Sequence, residues 1–302
     1  MLGAGGVGGC FGGALARSGH AVALLARGAH LEALKARGLE VRSPEGKFSV
    51  AVEASDDARS FGACDFAILA VKTYSLASVA PAARILAEGG AAILPLLNGV
   101  EAAERLIEGG VPANQVLGGL AHISAVKVGP GVVERKSAFQ RVALGERVGK
   151  PSERVQRIVG AFQEAGVEAR VSEDVAADLW RKLAFIAPMA AACGLARSPI
   201  GPVRDAPHGK LLLSRAVREV LAVARARGLP LAEDEEAKIL ALMDSLAGGL
   251  KPSFLVDLDA GGPNELDDLS GAVARLGREA GVETPVHDTA LAALSAFSAA
   301  RR

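Results

Sequence analysis

Two regimes of apolar patterning divide this chain. In its first half the apolar residues come in short unbroken runs, at 21–26, 66–71 and 91–97, each closed off by polar or glycine residues. Runs of that length, with no polar alternation, are what strands covered on both faces require, and such strands belong to parallel sheets flanked by helices. Between them a helix is predicted at 31–37 and shorter strands around Val41, 48–52, Val116, 132–133 and 142–144, followed by a helix at 152–165 and a last strand at 167–171. From Ser172 onward the strand signals stop and 3.6-residue periodicity replaces them. Ser172-Glu173-Asp174 is a helix start that leads into 178–185, and further helices are predicted at 209–227, 233–246, 264–280 and 285–300, several with Gly or Pro at their ends. The expected organisation is an α/β domain over residues 1–171 and an all-helical domain over 172–302, with no repeat or low-complexity linker between them.

The opening residues refine that picture. Gly3-Ala4-Gly5-Gly6-Val7-Gly8 carries the spacing G-x-G-x-x-G at Gly3, Gly5 and Gly8. In a dinucleotide-binding turn the first glycine permits a tight bend off a strand. The second removes the Cβ that would hold the backbone away from a pyrophosphate, and the third lets helix and strand pack closely. The phosphates then rest on a helix N-terminus, where unpaired N–H groups favour an anion. A plain glycine-rich turn has the same spacing. The residues downstream decide for the dinucleotide turn: a helical stretch at 11–17, a turn at Ser18-Gly19-His20 and the apolar run 21–26 give the order turn, helix, strand of a Rossmann-type βαβ unit. Only Met1 and Leu2 precede Gly3, whereas the first strand of such a unit takes about five or six residues. The sequence thus predicts a native start upstream of Met1.

Three polar residues stand where the predicted strands end. Where NAD-specific folds place an acidic residue to bind the ribose 2′-OH, this chain has Arg27, a residue that grips a 2′-phosphate and so favours NADPH over NADH, or else lies solvated on the surface. Ligands of open α/β sheets bind beyond the carboxyl ends of strands, which is where Lys72 falls, although a solvated loop lysine fits the same place. Asn98-Gly99 closes the run 91–97, and the dipeptide is also an ordinary turn signal.

Composition narrows the classes. Half of the residues are apolar and 34 basic residues balance 34 acidic ones, which excludes a disordered chain and gives no basic surface for nucleic acid. Cys10, Cys64 and Cys193 are three widely spaced residues without metal-binding spacing, as expected of small buried hydrophobes in a reducing compartment. His20, His30, His122, His208 and His287 are scattered, so no metal site is expected. His122 follows a strand edge near where a nicotinamide would lie, but a structural histidine is the simpler account. The run Glu233-Asp234-Glu235-Glu236 reads as a solvated helix N-terminus. The longest apolar stretch, 183–196, contains Pro188 and is shorter than a membrane span, so it reads as a buried core helix. With no signal-peptide pattern at the start, a cytoplasmic protein acting on a small molecule is expected, without membrane or nucleic-acid partners.

Taken in order, the early glycines, the strand ending in Lys72, Leu97-Asn98-Gly99, Leu179-Trp180-Arg181-Lys182-Leu183, and Ser253 with Glu265 make the chain resemble the ketopantoate reductase (2-dehydropantoate 2-reductase) family over essentially its whole length. The resemblance implies a Rossmann domain and a helical domain with NADPH and substrate in the cleft between them, reduction of a 2-oxo acid at C2, and a place in pantothenate and coenzyme A biosynthesis. It implies Lys182 as proton donor, Asn98 and Ser253 as substrate-binding residues beside it, and Glu265 near the cofactor end of the cleft. The full cofactor set expected is Gly3, Ala4, Gly5, Gly6, Val7, Gly8, Arg27, Lys72, Asn98, Ser124 and Glu265, with NADPH as the cofactor and a homodimer as a possible assembly.

The substrate half departs from the family. Counting from Lys182 without gaps, the family places asparagines four, eight and eighteen residues later to bind the polar groups of pantoate, and this chain has Ile186, Ala190 and Ile200. A helix puts Lys182, Ile186 and Ala190 on one stripe, which is therefore apolar beyond the lysine. The expectation is ketopantoate reduction, with reduction of a less hydroxylated 2-oxo acid or ketone as the alternative. A non-catalytic NADPH-binding protein is the reading from outside the enzymes, and the retained Lys182 and Glu265 argue against it.

Overall fold

The computed structural model describes residues 1–299. They divide into two units, residues 1–97 with 101–175, and residues 98–100 with 176 onward.

In the first unit helix α1 (Gly6–Arg17) leads into β1 (Ala23–Leu25), α2 (Gly28–Arg37), β2 (Leu39–Ser43), β3 (Gly46–Val50) and β4 (Glu53–Ser55). Next come β5 (Phe66–Leu69), α3 (Leu76–Glu88), β6 (Ala92–Pro95), α4 (Ala102–Glu108), β7 (Gly118–His122), β8 (Ala125–Gly129), β9 (Val132–Arg135), β10 (Arg141–Gly145), α5 (Glu153–Glu164) and β11 (Glu168–Val171). β4 pairs with β1 and β5 with β6, all parallel. Leu2 fills the lane between the two pairs: it bridges Leu25 on one side and Leu69 on the other, both parallel, and its N–H donates to the Ile68 carbonyl at 2.7 Å. Beyond β6 the sheet continues through a parallel bridge from Ile93 to Val116 and then β7, which runs antiparallel to β10, itself parallel to β11.

A second sheet, in the order β3-β2-β9-β8, has no counterpart in the simplest βαβ pattern. It explains glycines that the dinucleotide spacing does not use. α1 lies between the two sheets, and its Gly6, Gly9 and Gly13 face the second one. A Cβ at Gly9 would come within 2.6 Å of Val133, one at Gly13 within 2.5 Å of Val41, and one at Gly6 would overlap the Ala125 backbone. Phe11, on another face of α1, meets Phe162 of α5 edge to face with centroids 5.5 Å apart. The Ser152 side chain caps α5 by accepting from the Val155 N–H.

The second unit is built from α6 (Val175–Ala196), α7 (Ile200–Asp205), α8 (Gly209–Ala226), α9 (Glu235–Asp244), α10 (Ser253–Ala260), α11 (Ser270–Ala280) and α12 (Pro285–Ala299). The helix expected at 285–300 ends among the described residues at Ala299, and Ala300 lies outside them. α6 is longer than the apolar stretch that suggests it. Its 22 residues extend upstream through Asp178, Arg181 and Lys182, and Leu183, Ala184, Ala187 and residues 189–193 build the core with Val220, Phe254 and Val273. Length and composition alone would let α6 cross a membrane, while most of the helix is buried inside the protein.

Several expectations are corrected. The helix predicted over 264–280 begins only at Ser270, because the Asn264 side chain accepts from the Leu266 N–H and Leu269 takes φ −104° and ψ −94°, so 264–269 is a turn. The strand predicted at Val116 is a single bridge, with the strand itself at β7, whose two glycines hide it from an apolar count. β4, β8, α7 and α10 carry no clear periodic signal in the sequence. The acidic run 233–236 is not simply solvated: Glu235 is buried and accepts from Arg181 Nε at 2.7 Å, fastening α9 to α6 beside Lys182.

Candidate functional site

In the first unit the candidate groups follow the carboxyl ends of parallel lanes, which share one edge of the sheet: Gly3 follows Leu2, Arg27 follows β1, Lys72 follows β5 and Ser124 follows β7. Gly3 has φ +106° and its Cβ position lies 2.6 Å from Val71, so only glycine makes that turn. A Cβ at Gly8 would collide with the Gly3 carbonyl oxygen, which makes the close crossing of helix and strand possible only there. At Gly5 the space is open, with nothing within 4 Å of a Cβ. Gly5 is the N-cap of α1, no side chain caps that helix and no acidic residue stands in its first turn. A cradle that a side chain would fill, at a helix N-terminus with its first N–H groups uncapped, fits the pyrophosphate of a dinucleotide.

The other members of the cofactor set differ in setting. Arg27 is exposed at the N-cap of α2. Lys72 is half-buried at the start of a short turn. Ser124 is exposed, and its carbonyl accepts from the Lys136 N–H at 2.7 Å. Gly6 and Val7 are half-buried in the first turn of α1, and Ala4 is buried with its carbonyl turned to His30. His122 is exposed at the end of β7.

The second unit brings three predicted residues together from distant parts of the chain. Lys182 lies on α6 with only 8% of its surface exposed, and Glu265, 2% exposed, sits in the turn before α11. Asn98 donates from Nδ2 to Glu265 Oε2 at 2.9 Å across 167 residues of sequence. Burial pushes the Lys182 ammonium down from the ordinary lysine value to about 8, and the Glu265 carboxylate acts in the opposite direction, favouring the charged form. Neither residue is the solvated side chain that composition alone would suggest. Ser253 stands exposed as the first residue of α10, where Pro252 holds the cap position, so its hydroxyl is not a helix cap.

The three positions that depart from the family do not form one surface. Ile186 is half-buried, Ala190 is 2% exposed within the core, and Ile200, fully buried, lies beyond the end of α6 at the start of α7. Two further buried polar residues, one in each unit, carry no motif signal. Asp268 is buried, and a Cβ at Gly99 would lie 3.0 Å from its carbonyl oxygen. His30 is buried on the same face of α2 as Leu31 and Leu34, a position in the apolar stripe that was its one sequence signal. Among the described residues no three His, Cys, Asp or Glu side chains gather as metal ligands.

The glycine turn of the first unit and the buried Lys182 of the second belong to an oxidoreductase, the class that the curated relatives of this chain name. More particularly, the chain belongs to the ketopantoate reductase PanE/ApbA family: residues 1–149 match the model for that family and residues 174–298 match the model for its C-terminal domain. It is 32% identical over 299 residues to the uncharacterised oxidoreductase YkpB of Bacillus subtilis, covering 99% of this chain and 98% of the relative. It is also 32% identical over 292 residues to the 2-dehydropantoate 2-reductase of Halobacterium salinarum, covering 95% and 94%. A PanE/ApbA family ketopantoate reductase of solved structure from Ralstonia eutropha superposes with a TM-score of 0.89 at 28% identity, covering 100% of this chain and 99% of that one.

Proposed function

We propose that this protein reduces the C2 carbonyl of a 2-oxo acid to a 2-hydroxy acid with NADPH, and that ketopantoate is the first substrate to test. The observation that carries this reading is the buried Lys182, whose pKa is lowered to about 8 while Glu265 favours its charge. When bound, the reduced dinucleotide supplies the hydride that becomes the new C2–H bond. Lys182 Nζ donates a hydrogen bond to the carbonyl oxygen, stabilises the negative charge that grows there, and transfers the proton that completes the hydroxyl. The lysine is left neutral and takes its next proton from solvent. Glu265 accepts from Asn98, which holds the amide of that side chain in place beside the lysine's counter-charge. Arg27 suits the 2′-phosphate of NADPH, and Ser253 offers an uncommitted hydroxyl for the substrate.

A second reading concerns the substrate alone. A site that hydrogen-bonds a hydroxyl rejects analogues lacking it, whereas an alkyl side chain does not reward that hydroxyl. Ile186, the half-buried member of the three departures, therefore favours a 2-oxo acid less hydroxylated than ketopantoate. The test is nucleotide oxidation with ketopantoate beside branched and unbranched 2-oxo acids, with NADPH and NADH, in wild type and Lys182→Ala. The expected result is turnover of at least one 2-oxo acid, faster with NADPH and lowered about 10²- to 10⁴-fold in Lys182→Ala. NADPH binding without turnover of any 2-oxo acid sinks the reductase reading in favour of a binding protein.

A further inference from the structure

The glycine turn must present N–H groups and hide carbonyl oxygens, because an anion is repelled by the lone pairs of a C=O. Glycine spacing alone does not do this, since a chain that bends so freely can also flip its peptides. One carbonyl in the turn, that of Ala4, is fixed from inside the protein. It accepts a hydrogen bond of 2.8 Å from His30 Nε2, and the other ring nitrogen, Nδ1, accepts one of 2.9 Å from the Gly131 N–H. Both bonds are buried and both partners are main-chain groups. A backbone N–H can only donate and a backbone C=O can only accept, which fixes the tautomer: Nδ1 holds the lone pair and Nε2 holds the hydrogen.

We infer that His30 is a positioning residue for the dinucleotide: as the neutral Nε2–H tautomer it turns the Ala4 carbonyl inward and so sets the orientation of the peptide that carries the Gly5 N–H. The inference rests on the dinucleotide reading above. A trans peptide is planar, with its C=O and N–H pointing opposite ways, so tying the Ala4 carbonyl to the ring turns the Gly5 N–H away from it. At the ring's far side Gly131 has φ +75° in the turn between β8 and β9, and its carbonyl accepts from the Glu40 N–H at 2.9 Å, so the ring is anchored to the second sheet. The backbone of that sheet's edge strand, β8, also lies against Gly6. His30 thus ties the glycine turn to the sheet that covers it.

The bond to Gly131 makes the arrangement sensitive to protonation. A proton on Nδ1 would set two donors against each other. Burial lowers the pKa of His30 below the ordinary histidine value, the bond to Ala4 opposes that, and the charge of Lys127 on β8 adds to the lowering. The other ionisable groups around the ring do not reverse this. The Cys10 thiol, in the same apolar cluster on α1, is pushed up to about 12 and stays neutral, and Arg37 at the end of α2 donates to the Pro130 carbonyl of the same turn at 2.8 Å. Glu32 and Lys35 of α2 are exposed, Glu134 of β9 lies beside Lys136, and Arg135 of β9 is paired with Glu45.

Two variants separate positioning from mere support. His30→Gln carries an amide N–H where Nε2 stood and keeps the bond to Ala4; His30→Asn carries an oxygen where Nδ1 stood and keeps the bond to Gly131. Each loses one buried hydrogen bond, so a purely structural role predicts similar effects from both. Calorimetric titration of the full chain with NADPH, and with NADH in parallel, alongside thermal unfolding, provides the comparison. The expected result is a Kd raised about tenfold in His30→Asn and within about threefold of wild type in His30→Gln, at similar losses of melting temperature. Wild-type affinity should also weaken as pH falls through the titration of His30, with His30→Gln flat over the same range. Equal weakening in the two variants, in step with their melting temperatures, or no weakening in either, would overturn the inference. A wild-type chain that binds neither nucleotide overturns the dinucleotide reading itself, and the inference with it.

Discussion

In the glycine turn the groups offered to a ligand are backbone N–H groups, and they are available because side chains are missing at Gly3, Gly5 and Gly8. In the helical unit the groups are side chains, those of Lys182, Glu265 and Asn98, and what gives them their chemistry is how completely the fold buries them. The first arrangement is local, spanning a few residues around one turn. The second depends on a helix, a turn and a strand-following loop far apart in sequence. At a backbone site of the first kind the fold tolerates change wherever a Cβ has room, while a ligand that needs that room does not. A side-chain site of the second kind depends on the environment of one ammonium, and a remote substitution that admits water would alter it.

The largest effect expected from this contrast comes at Gly8. In Gly8→Ala the new Cβ meets the Gly3 carbonyl oxygen, which is backbone and cannot move aside without separating α1 from the central lane. The variant should lose about 3 kcal/mol or more of stability and with it nucleotide binding, read by thermal unfolding and calorimetry. Gly5→Ala is the sharper probe. Its Cβ meets only open space, so the melting temperature should stay that of wild type while NADPH affinity falls roughly 10- to 100-fold. Wild-type affinity in Gly5→Ala would show that no ligand approaches the backbone there, and the contrast between the units would collapse.

A smaller effect is expected in the helical unit, on specificity. Ile186→Asn places an amide at a half-buried position on the lysine's stripe, and it should raise kcat/KM for ketopantoate about tenfold relative to an unhydroxylated 2-oxo acid. Ala190→Asn, one turn further along α6, buries the same amide in the apolar core, where it should lower stability instead. Equal behaviour of the two variants in steady-state kinetics and thermal unfolding would mean that exposure along α6 does not decide which positions reach substrate.

Legibility in the sequence divides along the same line. The three glycines of the turn could be given roles from their spacing together with the helix and strand that follow it, because each role concerns backbone within the turn itself. Gly6, Gly9 and Gly13 could not, since they answer to the second sheet: the strands facing Gly9 and Gly13 are legible one by one, but not that they pair into a sheet over α1, and β8, which faces Gly6, left no readable pattern. Lys182 and Glu265 were legible only through resemblance to a family, because composition makes any lysine beside an arginine look solvated and periodicity carries no information about burial at that depth. Ile200 was reached by a gapless count from Lys182, and it falls past the end of α6 at Ala196, on the first residue of α7, where helix periodicity no longer relates it to the lysine. His30 was invisible as a functional residue because its partners are main-chain atoms, which leave no trace in the identities of side chains.

The central claim is that a buried lysine with a lowered pKa gives the proton, and the pH dependence of kcat/KM for reduction tests it most directly. Lys182 is charged below its pKa of about 8 and must be charged to donate, so kcat/KM should hold steady below that pH and fall about tenfold per unit above it. Glu265 raises that pKa, so Glu265→Gln should move the alkaline limb to lower pH, the direction opposite to any gain in exposure of the lysine. A profile that stays flat from about pH 7 to about pH 10, in wild type and variant alike, would contradict the assignment of the proton to Lys182.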